Sequence, residues 1–499
     1  MEKIAINRVS RRAFVEGMAL LAAGKAFAAP AGMFSNDKPE LTFGAISDIH
    51  ILHSKYGWKV GTTVLEKALL WYRQKNVDAV TIAGDLSEHG LIDELVMIGE
   101  AWRKIFPGNK GLNGNHVEKV FVTGNHDYEA WKYKGGFAQK LYPSPGELDR
   151  NKIAGNYGKA WEMAFGEKYE PIYMKNVRGY RFIGSHWMDG GGKQWGERLA
   201  KFVSGRKAEL SDGKPFFYVQ HPHLRNTVCS KYSSKVSDDG KTSAVLGVFP
   251  NAVAFSGHSH WTLSDERSIW QGGFTAVNLG SLWRAGFCRT SNAVKGYENW
   301  RTPGIRSRSG NALALDKAKA MVQYPSARNC HQGALVKVFA DRIVIERVSF
   351  ATGQNIGDDW VIPLGDAKNR PYDYALREKT IPAPQFPAGA KLEVKSVTAV
   401  NRGKERVKAV ELSFPAANAV KDTRPYDYMI EIVDAKGEKT YRNVLAQGVE
   451  LGASSPSASG PSNCVLSLSV LPEGPLVFNV QPGESFGKLG NPISAKFEG

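Results

Sequence analysis

Leu41-Thr42-Phe43-Gly44-Ala45-Ile46-Ser47-Asp48-Ile49-His50 is an apolar run that ends abruptly in two side chains able to bind metals or move protons. A short apolar run bounded by polar residues reads as a buried strand, which places Asp48 and His50 at a strand end. The arrangement recurs four times. AVTIA (79–83) leads into Gly84-Asp85, and KVFVT (119–123) into Gly124-Asn125-His126-Asp127. PFFYVQ (215–220) leads into His221, and AVAFS (252–256) into Gly257-His258-Ser259-His260. Five strand ends that deliver Asp, His and Asn to one place describe a metal site.

The stretches between these clusters fit an α/β sheet. Thr62 to Asn76 has apolar residues at helical spacing, and Trp195 to Leu210 reads as a second connecting helix ahead of the His221 strand. Phe274 to Leu279 and the alternating stretch Ala334 to Ser349 read as further strands, the latter a hairpin turning at Asp341-Arg342. Between them lies an insertion, about 284–332, without periodicity and rich in Arg, Ser, Asn and Gly. It leaves from the metal-site side and reads either as a substrate-binding loop or as an ordinary solvated one.

The five clusters, in this order, resemble the calcineurin-like metallophosphoesterases, whose pattern is DxH, GD, GNH(D/E), H and GHxH. The resemblance implies a four-layer α/β/β/α sandwich over 41–364 and hydrolysis of phosphate mono- or diesters at two metals. Following the family pattern, Asp48, His50 and His260 would bind one ion, Asn125, His221 and His258 the second, and Asp85 would bridge them. Imidazole, amide and carboxylate donors suit two divalent or trivalent transition-metal ions, iron, manganese or zinc, rather than magnesium or calcium. Such a pair activates a water to hydroxide and clamps the ester. The family's GNH(D/E) histidine, here His126, faces the substrate as a general acid. Gly84-Asp85-Leu86-Ser87-Glu88-His89-Gly90 aligns with the GDxxDRG stretch of the family's protein phosphatases. Glu88 stands at the acid that orients the catalytic histidine. His89 replaces a phosphate-holding arginine, which argues against a protein phosphatase and leaves the phosphate clamp unassigned.

Other residues compete for these roles. Gly114-Asn115-His116 repeats the GNH motif but follows a polar loop, so Asn125-His126 is preferred. His223 lies two residues beyond His221, yet His221 sits at the strand end. His186 ends the strand YRFIG and is expected to be structural, and His53 could line a pocket mouth. Trp187, Trp195, Trp261 and Trp283 lie near strand ends and are expected in the core, with Trp261 and Trp283 the candidates for a pocket wall.

At 499 residues the chain exceeds one ordinary core, so two domains are expected. After 364, Pro371, Pro382, Pro384 and Pro387 mark a linker over 365–389. Beyond it, 390–499 contains short strands such as RVKAVELSF (406–414) and YDYMIEIVDA (426–435), separated by turn signals, the rhythm of an all-β sandwich. Its ending, FNVQPGESFGKLGNPISAKF (478–497), is similar to the last hairpin of fibronectin type III modules. At the other end, Ser10-Arg11-Arg12-Ala13-Phe14 resembles a twin-arginine export signal, followed by a modest apolar stretch and the small-x-small site Ala26-Phe27-Ala28. Residues 1–28 thus read as a signal peptide, and the expected location is the periplasm, cell surface or exterior. That route carries folded proteins, so a metal enzyme can choose its ions before export.

The net charge is +16, with basic residues dispersed rather than clustered, which suits a small anionic phosphate ester and gives no specific nucleic-acid site. Cys229, Cys288, Cys330 and Cys464 have no metal-site spacing; Cys288 and Cys330 could close the insertion as a disulfide, or all four could be free thiols. Two function classes follow. One is an exported metal-dependent phosphoric ester hydrolase. The other is a surface binding or adhesion protein whose β-sandwich binds and whose phosphoesterase domain is vestigial. Every expected ligand position is filled, which favours the enzyme.

Overall fold

In the computed structural model, described for residues 38–52, 60–133, 136–188, 195–231, 237–284, 331–365, 368–400, 405–420, 423–446 and 462–499, the five apolar runs are all strands. The segment 1–28, His53, Cys288, Cys330 and nearly all of the 284–332 insertion lie outside these residues.

Strands β1 (Leu41–Ile46), β2 (Ala79–Ala83) and β3 (Glu118–Val122) run parallel. A second sheet holds β4 (Ile172–Val177), β5 (Tyr180–Ser185), β6 (Phe216–Val219), β7 (Ala252–Ser256), β8 (Ile269–Gln271) and β9 (Thr275–Asn278), in the order β4-β5-β6-β7-β9-β8. The hairpin β10 (Gln332–Val338) and β11 (Arg342–Ser349) returns to the first sheet, β10 lying antiparallel to β1. Strands β12 (Gln354–Asn355) and β13 (Trp360–Pro363) complete that sheet along β11.

Strands β1, β2, β6 and β7 are buried on both faces, and β3 is apart from its first residue, which is why their sequences are nearly continuously apolar. In β1, Leu41, Phe43 and Ala45 point between the sheets while Ile46 points to the helices. In β7, Val253 and Phe255 point between the sheets while Ala252 and Ala254 point outward. Phe43 is the centre of the inter-sheet layer, with Phe182, Phe217 and Phe255 at 5.0, 4.8 and 5.8 Å. Burying a ring of this size contributes roughly 1.5–3 kcal/mol.

Helices α1 (Val60–Gln74), α2 (Ile92–Ile105), α3 (Asn125–Tyr133) and α4 (Tyr157–Phe165) follow in chain order. Of these, α1, α2 and α4 cover the first sheet. Helix α1 buries Leu65, Ala68, Leu69 and Tyr72, one stripe at 3.6-residue spacing. The Tyr72 ring lies flat over Gly44, where a Cβ would meet it at 2.6 Å, so β1 needs glycine there. Helices α5 (Trp195–Ser204) and α6 (Lys241–Leu246) cover the second sheet. The result is the expected four-layer α/β/β/α sandwich. The helix expected over 195–210 is broken near Gly205, after which a separate turn spans Lys207–Leu210.

The segment 365–389 contains helix α7 (Tyr374–Thr380), capped by the Asp373 side chain on the Leu376 amide. Beyond it come β14 (Glu393–Val400), β15 (Arg406–Phe414), β16 (Asp427–Val433), β17 (Lys439–Leu445), β18 (Ser462–Ser467), β19 (Leu476–Gly483) and β20 (Ile493–Phe497). They form a three-stranded sheet, β14-β15-β18, and a four-stranded one, β17-β16-β19-β20, all antiparallel. Val410, Leu412 and Leu466 of one sheet and Ile430, Phe478 and Val480 of the other share one core, together with Cys464, a buried free thiol. This is the expected all-β second region. No helix among the described residues is long and apolar enough to cross a membrane.

Glu40–Gly499 packs as one unit, and the weld lies just beyond the GHSH cluster. Glu266 accepts hydrogen bonds from Arg347 at 2.8 Å, Trp360 Nε1 at 3.0 Å, Arg424 at 3.3 Å and Arg377 at 3.4 Å. Its amide donates to Ser485 Oγ at 3.1 Å, so a single residue ties α7 and the β-rich region to the first domain. Burial alone would raise its carboxyl, but the charges of Arg347, Arg424 and Arg377 outweigh that and hold it well below the usual range. The folded-state pKa is depressed, so the stabilisation is present at neutral pH and lost as pH falls through the acid range. Glu266→Gln should lower stability at pH 7 by ~3–5 kcal/mol, the cost of stranding buried charges. The gap to wild type, read from denaturant melts, should shrink as the pH falls below the ordinary glutamate pKa.

Candidate metal centre

The C-terminal ends of β1, β2, β3, β6 and β7 meet where the two sheets converge, and the loops that leave them are tied together by backbone bonds. The Ile49 and His50 amides both donate to the Asp85 carbonyl, at 2.9 and 3.0 Å, and the Gly257 amide donates to the His221 carbonyl at 2.9 Å. Close approach explains the glycines of the motifs. A Cβ on Gly124 would lie 2.2 Å from Asp85 Oδ1, and one on Gly257 would lie 1.8 Å from Ser47 Oγ.

Backbone strain gathers at the same place. Asp48, His50, Asp85, His258 and His260 have φ of 53°, 52°, 49°, 72° and 58°, half of the ten non-glycine residues with positive φ among those described. Each such residue costs ~1–3 kcal/mol and persists only where its surroundings over-determine it.

Seven side chains predicted as ligands converge here in two nests. Asp48, His50, Asp85 and His260 each offer a donor atom within 4.8 Å of the others, and Asp85, His221 and His258 do the same. Asp85 belongs to both, with its Oδ2 3.6 Å from His50 Nε2 and 3.2 Å from His221 Nε2. Asn125 Oδ1 joins the second nest, 3.1 Å from His221 Nε2.

The chemistry of the donors tests whether cations fit. The Nδ1–H of His221 donates to the Ala83 carbonyl at 2.7 Å, and that of His260 to the Arg284 carbonyl at 3.1 Å. His50 Nδ1 is held by Glu88 Oε2 at 2.7 Å. These contacts turn the Nε2 lone pairs inward. His50 Nε2 and His260 Nε2 face each other at 3.2 Å, and His221 Nε2 faces His258 Nδ1 at 3.2 Å. Facing acceptors among buried carboxylates call for positive charge, and the donor set fits metal cations.

The same field appears in the titration of the ligands. Burial would lower His50, but hydrogen bonds to Asp48 and Glu88 and the charge of Asp85 raise it to about 10. His221 rises to about 9, against burial, through the charge of Asp85 and its hydrogen bond. His258 goes the other way, to about 4, through burial and the like charge of His221. Asp48 is held well below the carboxylate range; burial opposes this, and the charge of His260 and its hydrogen bond outweigh it.

Around the ligands, Asp127 ties two loops together. It accepts from the amides of Gly124, Ser87 and Leu86 at 2.8, 2.8 and 3.1 Å, and from Ser87 Oγ at 2.6 Å. The His126 amide donates to Asp85 Oδ1 at 2.9 Å, and its ring meets His50 edge-on at 4.4 Å. His126 Nδ1 lies 3.0 Å from the Glu88 carbonyl and 3.2 Å from Glu88 Oε2. Glu88 therefore stands beside His126, as the sequence suggests, but its nearer partner is His50. Sequence reasoning missed this double role, because spacing alone shows no link between Glu88 and a residue 38 positions earlier.

The competing residues lie elsewhere or play other parts. His116 is exposed beside Glu118, at the opposite end of β3 from the site. His223 bridges Ser256 Oγ and Ser259 Oγ at 2.8 and 2.6 Å, supporting the GHSH loop, and burial lowers its pKa to about 3. His186 Nδ1 accepts the Thr123 amide at 3.1 Å among Trp161 and Tyr169. His89 is gripped by Glu94, at 2.8 Å from its amide and 2.7 Å from Nδ1, and stacks on Phe137 at 4.1 Å. Trp187, Trp195 and Trp261 are buried, whereas Trp283 is half-buried and covers His50 at 4.6 Å.

Residues 41–262 match the calcineurin-like phosphoesterase family in sequence. This stretch is a calcineurin-like metallophosphoesterase domain. The fold is similar to a dimetal phosphatase from Danio rerio, at 12% identity and a TM-score of 0.36 over 66% of this chain and 100% of that one. It is also similar to purple acid phosphatase PPD1 from yellow lupin (Lupinus luteus) seeds, at 14% identity and a TM-score of 0.37 over 65% of this chain and 55% of that one. No curated protein matches the chain. The family match implies divalent metal ions, and the two nests are the clusters among the described residues that could hold them.

Metal content separates the ligands from their neighbours. Asp85→Asn should empty both nests, Asp48→Asn chiefly the first, and His221→Ala chiefly the second. His223→Ala should keep both ions while loosening the GHSH loop. Elemental analysis of the purified variants checks this ranking.

Proposed function

We propose that the protein is an exported dinuclear-metal phosphoesterase acting on small anionic phosphate mono- or diesters. The observation that carries this reading is the position of Asp85 Oδ2 between two nests of inward-facing acceptors. Asp48, His50 and His260 would hold one ion, Asn125, His221 and His258 the other, with Asp85 shared. Nitrogen and oxygen donors of this kind suit iron, manganese or zinc. When bound, such a pair neutralises charge on the phosphoryl oxygens and supplies a water acidic enough to lose its proton at neutral pH.

The chain's own residues supply the rest. Asp85 fixes the His126 backbone, so the imidazole is placed by the same carboxylate that joins the nests. Glu88 accepts at Nδ1 of His126 and holds the ring that would hand a proton to a leaving oxygen. Glu88 itself stays ionised. Burial would raise its carboxyl, but hydrogen bonds from His126 and His50 hold it well below the usual range. His126→Ala should keep both metals and lower turnover by about 10²–10⁴-fold. The loss should be largest for alkyl phosphate esters and small for nitrophenyl esters, measured as paired kcat values. Equal losses would remove the acid role.

The arrangement of 390–499 as three plus four antiparallel strands around one core supports the fibronectin type III-like reading. Export rests on the Arg11-Arg12 motif and the Ala26-Phe27-Ala28 site, with the periplasm or cell surface as destination. Replacing both arginines with lysine should retain the precursor inside the cell, seen as uncleaved protein in fractionated extracts.

A further inference from the structure

Resting on the reading of the two nests as a metal centre, we propose that the C-terminal β-rich region is an integral part of that centre. Its Arg424 and Ser485 position the loop that follows the GHSH cluster and thereby hold His260 as a ligand. Strain marks where such support is needed. His258 and His260 have φ of 72° and 58°, and a left-handed residue other than glycine persists only where its surroundings over-determine it. On the N-terminal side, the Gly257 amide donates to the His221 carbonyl at 2.9 Å and the His258 amide to Asp48 Oδ2 at 3.0 Å.

On the C-terminal side, residues 262–265 belong to no helix or strand, so side chains must supply the partners of the loop. Asn278 Nδ2 donates to the Trp261 carbonyl at 2.8 Å, Arg347 to the Leu263 carbonyl at 2.9 Å, Arg424 to the Ser264 carbonyl at 3.1 Å, and Arg377 to the Glu266 carbonyl. Asn278 and Arg347 belong to the phosphoesterase sheets, whereas Arg424 lies just before β16 in the C-terminal region. The same nitrogen of Arg424 donates to Glu266 Oε1 at 3.3 Å, and the Glu266 amide donates to Ser485 Oγ, between β19 and β20, at 3.1 Å.

The Arg424 side chain is only 10% exposed, and a Cβ on Gly357 would lie 2.7 Å from its guanidinium carbon, so the group is packed into place. A second path runs through Arg267, which is fully buried and paired with Asp265 at 2.6 Å. Its guanidinium lies 5.5 Å from the Tyr426 ring of the C-terminal region and 6.0 Å from Trp261, the residue next to His260. Arg424 and Ser485 act through the backbone of 261–266 and are positioning residues, not ligands. With the partner of the Ser264 carbonyl removed, the loop gains freedom. The strained residue four positions back can then relax toward an ordinary φ, which turns its Nε2 away from the first nest.

The test titrates manganese(II) into metal-free, full-length protein and reads the bound ion by electron paramagnetic resonance. Arg424→Ala should weaken one of the two ions by about tenfold, the lower end of what loss of an outer partner costs. It should be the ion that Asp48→Asn also loses, so adding Arg424→Ala to Asp48→Asn should leave the remaining ion unchanged. Arg424→Lys should recover part of the affinity, because it keeps a donor for the Ser264 carbonyl. Ser485→Ala removes one hydrogen bond and serves if Arg424→Ala does not fold; it should weaken the same ion by about two- to tenfold. Leu412→Ala, a cavity in the C-terminal core away from the weld, should lower the melting temperature and leave both affinities unchanged. Wild-type affinity in the folded variants at 424 and 485 would overturn the proposal. So would a loss in Leu412→Ala equal to that in Arg424→Ala, since the effect would then be general destabilisation. A wild type that binds two ions but cleaves no phosphate ester would remove the phosphoesterase reading alone. One that takes up no transition-metal ion would remove the metal centre and this proposal with it.

Discussion

The Asp85 carboxylate is the constraint around which the rest of the structure is arranged. One oxygen stands between His50 and His221, the other receives the His126 amide, and the residue's own carbonyl receives the Ile49 and His50 amides. A buried anion with so many neighbours is costly to desolvate, and only a dense set of cations and donors offsets that cost. The glycines at 84, 124 and 257, the left-handed backbone of the ligands and the collapse of five loops onto one point all follow from bringing those partners close enough.

The two-sheet scaffold makes this crowding possible. Strands buried on both faces are stiff platforms, and parallel strands all present their C-terminal ends on the same side. Residues at those ends are placed by backbone hydrogen bonds rather than by flexible loops, so strained conformations at Asp48 or His260 can be held. Beneath the ligands, Asp127 and Glu88 spread the demand outward: one carboxylate fixes loop backbones, the other orients two imidazoles.

The C-terminal region is joined to this site by chemistry of the same kind. Glu266, six residues beyond His260, gathers Arg347, Arg377 and Arg424 from three separate parts of the chain. The stretch expected to be a linker packs there through α7, with Tyr374 against Phe486 at 5.2 Å and Gly490 pressed onto the Pro384 carbonyl. Pro-rich composition marks absence of periodicity, and it does not reveal docking, because docking depends on partners more than a hundred residues away.

Much of the centre was legible in the sequence because its signals are local. A strand's apolar run, a glycine that permits close approach, and the polar residue that follows lie within ten positions of one another, as in LTFGAISDIH and AVAFSGHSH. That adjacency marked five strand ends as a metal site, and the resemblance to the calcineurin-like pattern named Asp48, His50, Asp85, Asn125, His221, His258 and His260 as its ligands. Tertiary structure alone decided which atoms meet: Glu88 on His50 as well as His126, the Arg284 carbonyl on His260, Trp283 over His50, and the break in the helix after Ser204. These depend on how loops from two sheets converge, and convergence is set by packing between residues far apart in the chain, as in the contact of His50 with His260, 210 positions on. Local pattern fixes which side chains reach a strand end; only the packed sheets fix what they touch when they arrive.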